Sequence, residues 1–201
     1  MKLRIAALAL TLVALPAFAQ KYKNQAATGT AERSAMLKTL ERGKEMKGSR
    51  DSYQHLPQVF AVGLANSSET PEQAFARIGE NGAQLVETKG RLVLYRSAQS
   101  KPALVQYPGG SGVFPTVVNA RTGTLGVLTG NLIVKPKSMS DADAIASSHE
   151  LEKTKAYPQL QTVFYRAKAK VDIADVSAAL QADPRVESAY PEIIEHVRVP
   201  K

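Results

Sequence analysis

The chain has 201 residues, 44% of them hydrophobic, and a formal net charge of +8. That length accommodates one domain or two small ones, and the composition is that of a globular protein. The absence of cysteine excludes disulfides, thiolate metal sites and cysteine nucleophiles, and the lack of Trp with 6% aromatics argues against a stacking platform for nucleic acid.

The first element is a targeting signal. Lys2 and Arg4 precede an apolar run over residues 5–15, and Ala17, Phe18 and Ala19 give small-x-small spacing. This predicts a secretory signal peptide over residues 1–19. The run is shorter than the roughly 20 residues a membrane span needs. The mature protein is expected to be periplasmic or secreted, with no membrane association after cleavage. Its charge drops from +8 by the 2 of Lys2 and Arg4, to about +6.

Residues 20–56 read as a polar segment with one helix over 31–47, capped by Thr30. Met36, Leu37 and Leu40 give that helix only a narrow apolar stripe, and 48–55, with His55, reads as a linker. Residues 57–129 read as an α+β extension. A strand over 57–65 leads to a helix that opens at Pro71 behind Thr70, buries Phe75 and Ile78 and ends at Asn81-Gly82. Strands over 84–88 and 91–96 turn at Lys89-Gly90. A strand over 103–107, a glycine-rich loop over 108–112 and a hairpin of 114–119 with 124–129 follow, and Gly130 marks a boundary.

Residues 130–191 alternate more cleanly. Strands are expected at 131–135, 153–156, 161–167 and 186–190, and helices at 140–150 and after Asp172. The second helix carries Ile173, Val176 and Leu180 at helical spacing and stops at Asp183-Pro184. The order is βαββαβ. The fold class is therefore α+β, a C-terminal ferredoxin-like plait preceded by a smaller α+β extension with hairpins. Residues 192–201 form a tail with no clear element of their own. An echo at about seventy positions sets Ala74 and Ala76 on Ala144 and Ala146, and Val93, Tyr95 and Arg96 on Val163, Tyr165 and Arg166. A duplication would make the middle region a degenerate second plait.

Catalytic signals are sparse. His55, His149 and His196 lack zinc-site spacing. Ser111, within Gly109-Gly110-Ser111-Gly112, lacks the strand-to-helix context of a nucleophile elbow. No phosphate loop or dinucleotide fingerprint occurs. A non-enzyme without cofactor or metal is expected.

Three stretches carry a resemblance. Residues 130–135, Gly-Asn-Leu-Ile-Val-Lys, resemble the opening strand of the propeptides of subtilisin-like serine proteases. Leu180, Asp183, Pro184, Val186, Tyr190 and Glu192 fall in the order those propeptides show at their second helix and last strand. Residues 115–131 resemble the junction region of the stand-alone external chaperones of bacterial subtilases. The catalytic Asp, His and Ser motifs of subtilases are absent, and residues 31–129 lie outside the usual propeptide.

The resemblance implies a secreted chaperone and inhibitor of a separately encoded subtilisin-like serine protease, in a 1:1 complex. It implies that the open face of the plait packs on two enzyme helices. Glu192 and Glu187 would meet helix N-termini, which favour negative charge. The tail would lie in the substrate cleft like an added strand, Lys201 nearest the catalytic serine with Pro200, Val199 and Arg198 behind it. The alternative is a periplasmic protein-binding module with no protease partner, because such plaits host many functions.

Overall fold

The computed structural model describes residues 34–80, 82–97, 112–168 and 171–196. Residues up to Thr39 form one unit, in which the described element is helix α1 (34–39), and Leu40 onward forms a second. The expected signal peptide, the strand at 103–107, Ser111 and residues 197–201 lie outside the described residues.

The second unit is a nine-strand antiparallel sheet with helices. Its elements are β1 (Glu45–Lys47), β2 (Ser52–Gly63), α2 (Pro71–Arg77), β3 (Gln84–Lys89), β4 (Leu92–Arg96), β5 (Val113–Asn119), β6 (Leu125–Pro136), α3 (Ala142–Ser148), β7 (Leu151–Tyr157), β8 (Thr162–Ala167), α4 (Ile173–Ala182) and β9 (Val186–Ile194). The strand order is β3-β4-β2-β5-β6-β8-β7, with β1 on β2 and β9 on β6. The α+β class expected from the sequence is the one observed.

Local chemistry explains the elements that match. Thr70 Oγ1 accepts from the Gln73 amide while Gln73 Oε1 accepts from the Thr70 amide, a capping box with Pro71 at the first helical position. Asp172 caps α4 by accepting from the Ala174 amide at 2.9 Å. The turn between β3 and β4 places Gly90 at φ 59°.

Other elements depart from expectation because of long-range pairing. Of the helix expected over 31–47, the described residues 34–39 are helical, the helix does not continue past Thr39, and residues 45–47 are a strand. Met46 pairs with Tyr53 and both are buried, so packing overrides the helix preference of Glu, Met and Lys. The expected linker at 48–55 gives way to β2 from Ser52. Pro57 is tolerated there because it sits in the register shift between His55 and Phe60. Helix α2 stops at Ile78, before Asn81-Gly82, where Gly79 takes φ 75°. The strands expected on either side of Gly130 are one strand, with Gly130 at φ 84° inside a bulge against β9. Strand β9 continues to Ile194, which pairs with Val127, so the first residues of the expected tail belong to the sheet.

Both C-terminal helices cover one face of the sheet. Leu132, Val134, Val163 and Tyr165 pack with Ile145 of α3 and Ile173 and Leu180 of α4 in one core. Leu180 is fully buried, as its spacing predicts. Tyr165 keeps its hydroxyl satisfied inside that core by donating to the Ala142 carbonyl at 2.8 Å.

The seventy-position echo has a structural counterpart. The run β3-β4-β2-β5 repeats the arrangement β7-β8-β6-β9. In the first, Phe60 lies between Tyr95 and Pro115, and in the second Leu132 lies between Tyr165 and Pro191. Ala74 and Phe75 of α2 cover Phe60, Val62, Val93 and Tyr95, as α3 covers the later strands.

Candidate functional site

Strand alternation divides the C-terminal sheet into two faces. With Leu132, Val134, Val163 and Tyr165 under the helices, Ile133, Lys135, Phe164 and Arg166 point the other way. Ile133 pairs with Phe164 on one side and Tyr190 on the other. Tyr157 lies at 5.8 Å from Phe164, ring centroid to centroid, nearly edge-on at 69°. Ile133, Tyr157, Phe164 and Tyr190 are each half-buried. They form an apolar row across β7, β8, β6 and β9, on the face that neither α3 nor α4 covers.

Charge of both signs frames this row. Lys155 Nζ sits 4.7 Å above the Tyr157 ring. Glu187 of β9 meets Lys135 of β6 at 3.3 Å. Glu192 stands opposite the β6 bulge, where its Oε2 accepts from Thr129 Oγ1 at 2.5 Å and from Asn131 Nδ2 at 2.8 Å. Glu187 and Glu192 therefore share a strand with Tyr190 and are already hydrogen-bonded to β6. Arg198, Val199, Pro200 and Lys201 lie outside the described residues.

The Asp183-Pro184 signature does a different job. Asp183 accepts from the Arg185 amide, Nε and Nη2, and its Oδ2 lies 2.9 Å from His149 Nε2. Arg185 above all holds this carboxyl far below the usual carboxylate range. The motif thus staples the end of α4 to the end of α3 and is not part of the open face.

Sequence reasoning named the acidic residues and missed the aromatic row. The signal was present: Val163 and Tyr165 inward place Phe164 outward, and an outward aromatic beside Tyr157 has no core to fill. Among the described residues no cluster of three or more His, Asp or Glu is placed to hold a metal.

No curated protein matches the chain. Among solved structures, a chain of the crystal structure titled as the Aeromonas sobria serine protease (ASP) and the chaperone (ORF2) complex matches at 15% identity and a TM-score of 0.36, covering 48% of this chain and 99% of that one. A family model described as the open reading frame 2 N-terminal domain matches residues 94–198, from β4 past the end of β9. That match takes in just over half of the chain, and the protein belongs to the open reading frame 2 N-terminal domain family.

Proposed function

We propose that this protein is an exported chaperone and inhibitor of a separately encoded subtilisin-like serine protease. One observation carries the reading: the half-buried row of Ile133, Tyr157, Phe164 and Tyr190 on the helix-free face of a βαββαβ sheet. Such a row is too apolar for a purely solvated face and wide enough to receive a pair of helices. Propeptide-like motifs on the same segment support the choice of partner, and in the Aeromonas sobria complex the chain titled ORF2 is the chaperone of a serine protease. The ferredoxin-like plait offers the folding protease a preformed surface, the tail after β9 enters the substrate cleft, and the protein itself is not catalytic. The n-region, apolar run and small-x-small spacing of residues 1–19 support export, with the complex acting in the periplasm or outside the cell.

The test is co-expression with a subtilisin-like protease encoded beside this chain, scored as yield of active enzyme. Phe164→Glu should leave the sheet folded, since Phe164 is half-buried away from the helices. It should lower the yield about thirtyfold or more, the effect of losing a central aromatic anchor worth 2 kcal/mol or more. An unchanged yield, with the variant folded, removes the open face from the mechanism. No effect of the unaltered chain on the protease leaves the protein-binding module without a protease partner.

A further inference from the structure

The end of β9 is held from the far side of the sheet. Glu195 Oε1 accepts from Asn119 Nδ2 at 2.9 Å, at the end of β5. Lys89, the last residue of β3, donates from Nζ to the Glu195 carbonyl at 2.9 Å. Tyr53 of β2 pairs with Asn119, and its hydroxyl is held above its ordinary pKa by burial first and by the Glu195 charge second. Just before, Ile193 packs so tightly on Gly126 that a Cβ there would lie 2.4 Å from Ile193 Cγ2.

Three strands that precede β6 in the chain, β2, β3 and β5, thus converge on one residue, next to the segment 197–201. Lys89 is buried, which costs free energy unless its ammonium is paired. It is paired here with the Glu195 carbonyl and with Glu87 Oε1 at 3.2 Å. In the equivalent place at the open face, the partners of Glu187 and Glu192 among the described residues are neighbouring β6 residues.

We propose that Glu195 is a positioning residue for inhibition: Asn119, Tyr53 and Lys89 hold it so that residues 197–201 leave the fold from one fixed point. This gives strands β2, β3 and β5 a role, as the holder of the tail, and it rests on the tail-in-cleft reading above. A root held in place before binding reduces the ordering cost of seating the tail. The sheet face that assists folding does not depend on it.

Asn119 allows a selective test. Its Oδ1 also accepts from the Arg121 and Thr122 amides in the hairpin turn, at 2.9 and 3.0 Å. Asn119→Asp keeps those acceptors but sets a repelling oxygen against both Glu195 and Asp51, whose Oδ2 accepts from Asn119 Nδ2 at 3.0 Å, so only the part of the effect that Glu195→Gln reverses reports on residue 195. Adding Glu195→Gln restores a donor and acceptor pair. The full chain, Glu195→Ala, Asn119→Asp and the double variant are compared by amide hydrogen exchange of residues 193–196, by inhibition of a subtilisin-like protease, and by yield of active protease on co-expression. Both single variants should speed exchange at 193–196 about tenfold, with β7 and β8 unchanged, as expected for local release. They should weaken inhibition about tenfold while leaving the yield intact, and the double variant should recover both readouts. Unchanged exchange in the singles, or faster exchange with full inhibition, overturns the proposal. So does the same weakening in chains that lack 197–201. If the unaltered chain inhibits no such protease, the tail-in-cleft reading fails and the positioning role falls with it. That outcome is distinct, because exchange is measured on the free chain.

Discussion

Acid should destabilise this fold through one histidine. His55 is 2% exposed in β2, where its carbonyl accepts from the Gly43 amide and its amide donates to the Lys44 carbonyl. The ring packs on Gly43, where a Cβ would come 3.1 Å from Nδ1, and Nε2 has no partner among the described residues. Burial pushes the imidazole down to about 4, against a smaller opposing pull from the Asp172 charge. Folded His55 is therefore neutral between about 4 and 6.5, while the unfolded chain takes up a proton there. The unfolded state binds more protons in that window, so stability falls as pH drops through it and levels off below about 4. At about 1.36 kcal/mol per pH unit the loss is about 3 kcal/mol. Urea unfolding followed by circular dichroism at pH 7 and pH 4 measures it, with His55→Leu as the reference. Groups common to both chains, Asp183 among them, cancel in the difference. The unaltered chain should lose about 3 kcal/mol more than His55→Leu on acidification. Parallel losses in the two chains would refute the reasoning.

Other outcomes follow from single contacts. Leu180→Ala should cost about 2–5 kcal/mol in urea unfolding, because Leu180 is fully buried between α4 and the sheet. Gly126→Ala should cost about 1–3 kcal/mol, since its Cβ would crowd both Ile193 and Val117; an unchanged unfolding midpoint would show that β9 shifts freely. Removing residues 197–201 should leave the midpoint unchanged yet weaken protease inhibition about a hundredfold, the loss of three or four backbone hydrogen bonds at about 0.5–1.5 kcal/mol each. Equal inhibition by the shortened chain would take the tail out of the cleft.

What the sequence by itself determined was local. Thr70 with Pro71, Asp172 with Ile173, and Asp183-Pro184 mark helix ends because caps and stops act within four residues. Alternation in 161–167 and helical spacing in 173–180 reveal which side of each element is apolar, and these together yield the βαββαβ order. What only the tertiary structure decided depends on residues far apart in the chain. Residues 45–47 have the composition of a helix and become a strand because Met46 finds Tyr53 in a buried pair. Gly130 looks like a boundary and is a bulge, because β9 pairs with β6 on both sides of it. Glu195 reads as one more charge in a polar tail until Asn119 and Lys89, 76 and 106 positions away, close on it. Hydrogen bonds of that reach leave no periodicity in the chain, since they arise where the coiling of the whole sheet brings its first strands to the end of its last.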